Sequence, residues 1–251
     1  MFTKLLKHEF RNTSRSLGLF SIAVLLVGVF GFIMSLIINS NDDIPNNETF
    51  NILLMPIVIL AVLSFAAYIF SSAIILYKQF YTSKFTDEGY LTFTLPVTTH
   101  QILLSSILNV VIWSIITLVV LATSMILMAA PSIAAEISNT PFISPNFKFN
   151  FDILEFMKSI SSILYALILP FLSITLGALW AKKKKLGAAF CIGYGINMIV
   201  SYITNVLQIL EHTIDAPYAI IYPIIQILVL LLNGIGGYFL MHYLIDKKLN
   251  L

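Results

Sequence analysis

The side chains able to do chemistry are few and unevenly placed. Asp87 and Glu88 are adjacent within Thr86–His100 (TDEGYLTFTLPVTTH), a stretch away from the chain ends that lipid would not cover. Two neighbouring carboxylates followed by Gly89 suit the first turn of a short helix capped by Thr86, where negative charge complements the helix dipole. That helix must end before Pro96, because the residue preceding a proline avoids the α region. Leu91, Phe93 and Leu95 also alternate with Thr92 and Thr94, which is strand periodicity. A lone strand at a membrane surface has no pairing partner, so a helix is the expectation. It would present Tyr90, Leu91 and Phe93 as an apolar anchor beside two charges, the composition of a contact site.

Other chemistry is hard to find. The four histidines and single cysteine follow no metal-ligand spacing such as H-E-x-x-H. Cys191 has no intramolecular partner for a disulfide. No G-x-x-x-x-G-K-[ST] loop occurs, so the chain is expected to bind no ATP by that route and to be non-catalytic. No Asp, Glu, Lys or Arg lies inside the long apolar segments, and His242 is the titratable candidate at span depth. The scarcity of such groups argues against a proton-coupled carrier or a voltage sensor. A sodium-coupled carrier built from carbonyls and hydroxyls stays open.

Uncharged polar residues recur late in the chain: Asn197, Asn205 and Gln208, then Gln226 and Asn233. They fit either interhelical hydrogen bonds, worth about 0.6 kcal/mol each on average, or the polar lining of a pathway. Gly187, Cys191 and Gly195 form a small-residue stripe, and Gly234, Gly236 and Gly237 cluster nearby; close helix packing is the expected use of both.

These residues are set in a chain of 251 residues that is 59% hydrophobic and 10% charged, with a mean hydropathy of +0.94. Soluble domains carry about 25% charged residues, so the composition indicates an all-α integral membrane protein. A net charge of +2 gives no reason to expect a nucleic-acid partner. Roughly 20 apolar residues cross the hydrocarbon, and six uncharged segments qualify: 17–38, 51–76, 99–130, 159–180, 187–210 and 219–245. The first is too long for the h-region of a signal peptide. Thr98 and Gln101 form a capping box that starts the third. Residues 131–152 read as a polar loop, Pro170 marks a possible bend in the fourth span, and Lys182–Lys185 stop it. Pro217 and Pro223 leave two readings of the last span open, a straight start and a re-entrant one.

Residues 1–16 precede the first span. Phe2, Leu5, Leu6 and Phe10 fall on one side at helical spacing and Lys4, Lys7, His8, Arg11 and Arg15 on the other, the pattern of an amphipathic helix in the membrane interface. Glu9, beside the apolar stripe, is expected to pair with a neighbour. Six spans place both termini on one side with the loops after spans two and four. That side holds Lys4, Lys7, Arg11, Arg15, Lys78, Lys84, Lys182–Lys185, Lys247 and Lys248, all but Lys148 and Lys158 of the 14 Lys and Arg. By the positive-inside rule it is cytoplasmic, and the chain is expected in the cell membrane. Residues 77–98 are then a cytoplasmic loop between spans two and three.

On these residues the chain resembles the permease subunits of type 2 ABC exporters, particularly the peptide and lantibiotic exporters of Gram-positive bacteria. Asp87-Glu88-Gly89-Tyr90-Leu91, Thr94-Leu95-Pro96 and Leu103-Leu104-Ser105 are similar to that family's loop, and Leu5-Leu6-Lys7-His8-Glu9-Phe10-Arg11 to its N-terminal elbow. Ser106 departs from it, where many relatives carry a lysine. The resemblance spans the chain and implies a single permease domain, dimeric with a like or unlike copy. It also implies two copies of a separate ATPase that binds ATP and Mg²⁺, with Thr86–Leu95 as the coupling helix. Asp87, Glu88, Gly89, Tyr90, Leu91, Phe93 and Pro96 would then be the ATPase-coupling residues, and the cargo a hydrophobic or amphipathic peptide, lipid or drug-like molecule. A membrane scaffold or immunity subunit without transport of its own, and a secondary carrier, are the alternatives.

Overall fold

The computed structural model describes residues 2–39, 48–86, 89, 92, 94, 97–139, 152–181, 185–213 and 221–248. Among them every regular element is a helix: α1 Phe2–Asn39, α2 Glu48–Phe85, α3 Thr99–Asn139, α4 Ile153–Trp180, α5 Lys185–Thr213 and α6 Ile221–Lys248. All six are long and apolar enough to cross a membrane. The chain is an all-α, six-span membrane protein.

The helices outrun the apolar windows. At 1.5 Å per residue, the 38 residues of α1 and of α2 measure about 57 Å each, against about 30 Å of hydrocarbon. The segment expected as a separate interfacial helix forms the first turns of α1, because no Gly or Pro precedes Gly18 to break it. Its amphipathicity is nevertheless real. Lys4, Lys7, His8 and Arg11 are exposed, while Phe2, Leu5, Leu6 and Phe10 are half-buried; Glu9 is buried and begins the covered line Thr13, Leu17, Ser21, Val24. Likewise α2 continues past Leu76 to Phe85, and α3 passes through Pro131 to Asn139. The loop expected from Pro131 therefore begins later. Ser132–Asn139 contains Ala134, Ala135 and Glu136, good helix formers that carry the helix beyond the proline. α4 starts six residues earlier than the apolar window because Asp152 caps it, its Oδ1 accepting from the Leu154 N–H at 2.9 Å. Pro170 lies within α4 and Pro223 within the first turn of α6, where proline is tolerated. Pro217 and Lys182–Lys184 lie outside the described residues.

The chain divides into two compact units. One comprises Met1–Leu6, Tyr77–Leu108 and Lys148–Leu251, the other Lys7–Leu76 and Asn109–Phe147. In the second, α1 meets α2 and α3. Ser21 Oγ lies 2.7 Å from the Tyr68 hydroxyl. Val24, Phe65 and Tyr68 form a core with Val27, Val120, Leu121 and Met128 around it. A Cβ on Gly28 would stand 2.9 Å from Ser124 Cα, so glycine there sets how closely α1 approaches α3.

In the first unit α4 packs on both α5 and α6. Here the expected small-residue stripe is corrected. Among the described residues nothing beyond their own stretch of helix lies within 4 Å of a Cβ added at Gly187, Gly195 or Gly236, and Cys191 is exposed. Close approach is made instead by Gly177, whose Cβ would lie 2.5 Å from the Ala189 backbone nitrogen, and by Gly193, 2.7 Å from Ser173 Oγ. Gly193 is two residues from Gly195, hence nearly opposite it on the helix. Gly234 and Gly237 of the other cluster do face α4. At the opposite end of α4, Lys158 Nζ donates to Glu155 Oε1 at 2.8 Å and to Glu211 Oε2 of α5 at 3.1 Å. Lys158 and Glu211 are 17% and 21% exposed, so screening is partial. Lys158→Met should cost about 1–2 kcal/mol, read as a lower thermal midpoint in detergent; a midpoint equal to the parent's would show that the link contributes nothing.

Candidate functional site

The loop after α2 is held at both ends by contacts within the first unit. At the α2 end the fixings are aromatic. Phe80 meets Phe171 of α4 edge to face, centroids 4.6 Å apart with the ring planes at 89°, and Tyr77 meets the same ring at 5.4 Å. Phe85 packs on Phe80 at 5.8 Å. Phe171 is 0% exposed, so the end of α2 is seated on the interior of α4.

Beyond Phe85 the chain folds back on the helix it has left. Thr86, expected to cap the next helix, donates its hydroxyl proton to the Thr82 carbonyl inside α2; Glu88, whose N–H such a cap would bind, lies outside the described residues. The Thr86 carbonyl accepts from the Gly89 N–H at 2.8 Å. Gly89 and Thr92 are helical in conformation, and Thr92 Oγ1 donates to the Ser83 carbonyl at 3.0 Å. Gly89 is buried against the end of α2, where an added Cβ would lie 2.5 Å from the Lys84 carbonyl oxygen. Glycine is required here by contact with backbone, which has little freedom to yield. Asp87, Glu88, Tyr90, Leu91, Phe93 and Pro96 lie outside the described residues.

The α3 end is polar. Thr98 caps α3, which is the Thr98 half of the expected capping box: its carbonyl accepts from Gln101 and Ile102 N–H at 2.9 and 3.2 Å, and its Oγ1 from Gln101 N–H at 3.4 Å. The next two residues reach α6. Thr99 Oγ1 donates to Asp246 Oδ1 at 2.8 Å. His100 Nδ1 is 3.0 Å from the Tyr238 hydroxyl, and its ring stacks on His242 with centroids 3.7 Å apart. The loop is thus braced against α4 through one end and against α6 through the other.

The five polar residues considered as a pathway lining are not gathered on one surface. Gln226 is buried and donates through Nε2 to the Thr204 carbonyl at 2.8 Å, joining α6 to α5. Asn233 Nδ2 bonds to Val229 O in its own helix. Asn197, Asn205 and Gln208 are exposed on α5; Asn197 Oδ1 lies 3.5 Å from the Tyr165 hydroxyl. Among the described residues no three of His, Cys, Asp and Glu are grouped to hold a metal.

Two features were not foreseen. His100 and His242 are 142 positions apart, and only the alternation of spans, which sets the start of α3 and the end of α6 on one side, hinted at their meeting. The second is on α3 in the other unit. Asn109 Oδ1 and Trp113 Nε1, one turn apart, are buried without a hydrogen-bond partner among the described residues. The Trp113 ring stacks on Phe10 of α1 at 5.1 Å.

Compared with known proteins, the chain matches no family model, no curated protein and no solved structure.

Proposed function

We propose that this chain is the membrane-spanning subunit of an ATP-driven exporter, moving a hydrophobic or amphipathic substrate outward by coupling to a separate ATPase. Both termini and residues 86–98 face the cytoplasm, in keeping with the distribution of Lys and Arg. The chain pairs with a second permease copy, and the ATPase subunits supply ATP and Mg²⁺ binding.

One observation carries the reading: the loop between α2 and α3 is short, acidic at Asp87 and Glu88, and braced against two other spans. A push on an unbraced loop would be absorbed locally. Here displacement passes through Phe80 and Phe171 to α4, and through Thr99 and Asp246 to α6. A contact surface with such bracing serves transmission rather than chemistry.

The test is charge reversal. If Asp87 and Glu88 meet a basic groove on the ATPase, changing both to Lys sets like charges against each other, at a cost of several kcal/mol. Each 1.4 kcal/mol is tenfold in affinity, so the ATPase that copurifies with the parent should be recovered at least about tenfold less. Membrane insertion should persist, since added cytoplasmic Lys obeys the positive-inside rule. Equal recovery and transport in the double variant would end this reading, as would a parent that retains no ATPase.

A further inference from the structure

We propose that His100 and His242 form a proton-sensitive clasp between the start of α3 and the C-terminal part of α6. This does not rest on the exporter reading. It rests on ring geometry: the imidazoles lie nearly parallel, at 19°, with centroids 3.7 Å apart, which is contact distance. Two imidazoles stack in this way when at most one is protonated. A doubly protonated pair sets two positive charges face to face.

The groups around the pair come from both helices. From α6 these are Tyr238, whose hydroxyl is 3.0 Å from His100 Nδ1, and Asp246, which accepts from Thr99. Lys247 of α6 lies over the Tyr243 ring, 4.9 Å from its centroid. Between Thr99 and Leu108, α3 offers no titratable group besides His100. Asp246 is four residues from His242 and hence on the same face of α6, one turn away. A protonated His242 therefore has a carboxylate within reach on its own helix. Turning toward it relieves the repulsion from His100 and competes with Thr99 for Asp246. Protonation exchanges two contacts between helices, His100–His242 and Thr99–Asp246, for one within α6, and leaves the hydrogen bond between His100 and Tyr238. The start of α3 is then held to α6 less firmly, and the loop's α6 brace is loosened.

Histidine changes charge between about pH 5 and 8, so the clasp is closed at the upper end and open at the lower. The experiment uses the full chain with Cys191→Ala and spin labels on Leu104→Cys of α3 and Leu240→Cys of α6, positions that are each 44% exposed. The interlabel distance should be short at about pH 8 and shift to a longer, broader distribution at about pH 5. In His100→Gln and in His242→Gln, each an uncharged polar replacement at a partly or fully exposed position, the shift should vanish and the short distance persist. In Asp246→Asn the shift should shrink, because protonated His242 loses its alternative partner. A parent distance that is the same at both pH values overturns the proposal. So does a shift that survives in either Gln variant, since the response then does not need the pair.

Discussion

Phe171→Ala is expected to be the most destabilising single substitution in the first unit. The ring is 0% exposed and receives two aromatic edges, from Phe80 at 4.6 Å and Tyr77 at 5.4 Å. Truncating a buried Phe to Ala costs about 3–5 kcal/mol, a transfer term plus a cavity term. In a membrane the cavity and lost dispersion matter most, because lipid tails are as apolar as the side chain removed. Phe171→Leu retains much of the volume and should lose chiefly the ring geometry, about 0.5–1.5 kcal/mol for each aromatic pair. Ile163→Ala on the same helix is the control: its side chain is 59% exposed and faces the surface, so its loss should shift little. Thermal midpoints in one detergent should fall in the order Ile163→Ala, Phe171→Leu, Phe171→Ala, the last losing most. A Phe171→Ala midpoint near that of Ile163→Ala would mean that the aromatic seat of α2 on α4 contributes little to the fold.

That seat shows why the fold was legible and the site only in part. Six spans follow from hydropathy, because lipid requires every backbone group in a span to be satisfied within a helix. Helix ends were harder to read. Phe85 and Asn139 lie beyond the apolar windows, where hydropathy carries no signal and helix propensity with tertiary contacts decides. Thr98 was readable because a cap is a local pattern; Thr86 carries the same pattern, and its hydroxyl also donates back to the Thr82 carbonyl of α2. Which glycines let helices approach depends on which face each helix turns to its neighbour, and a small-residue stripe on α5 carries no such information. Gly193, not Gly195, meets α4. The His100–His242 stack is a pairing between distant segments that no local pattern encodes.

Gly89→Ala adds a single methyl and should uncouple the loop from α2. Two effects oppose each other. Gly89 is helical, so alanine by propensity would gain up to about 1 kcal/mol. Against this, the new Cβ would stand 2.5 Å from the Lys84 carbonyl oxygen and 2.8 Å from its carbon, where ordinary contact begins near 3.4 Å. The obstructing atoms are backbone at the end of a helix seated on Phe171, so neither side moves freely. Overpacking of this kind costs about 1–3 kcal/mol, and a clash with rigid backbone belongs at the upper end. The net loss is then about 2 kcal/mol, or about thirtyfold in the equilibrium between docked and released loop. The Thr86–Gly89 and Thr92–Ser83 hydrogen bonds open with it. Limited proteolysis between α2 and α3 reads that equilibrium when reclosing is faster than cleavage, so the cut should come about thirtyfold sooner while the thermal midpoint of the spans stays near the parent's. Ser83→Ala is the matched control, since Thr92 binds the main-chain oxygen of Ser83 and keeps it. On the exporter reading, Gly89→Ala should still recover the ATPase through Asp87 and Glu88 but transport poorly, because the push no longer reaches α4. Parent-like proteolysis would refute the close approach itself; faster proteolysis with undiminished transport would leave the close approach standing and refute its part in coupling.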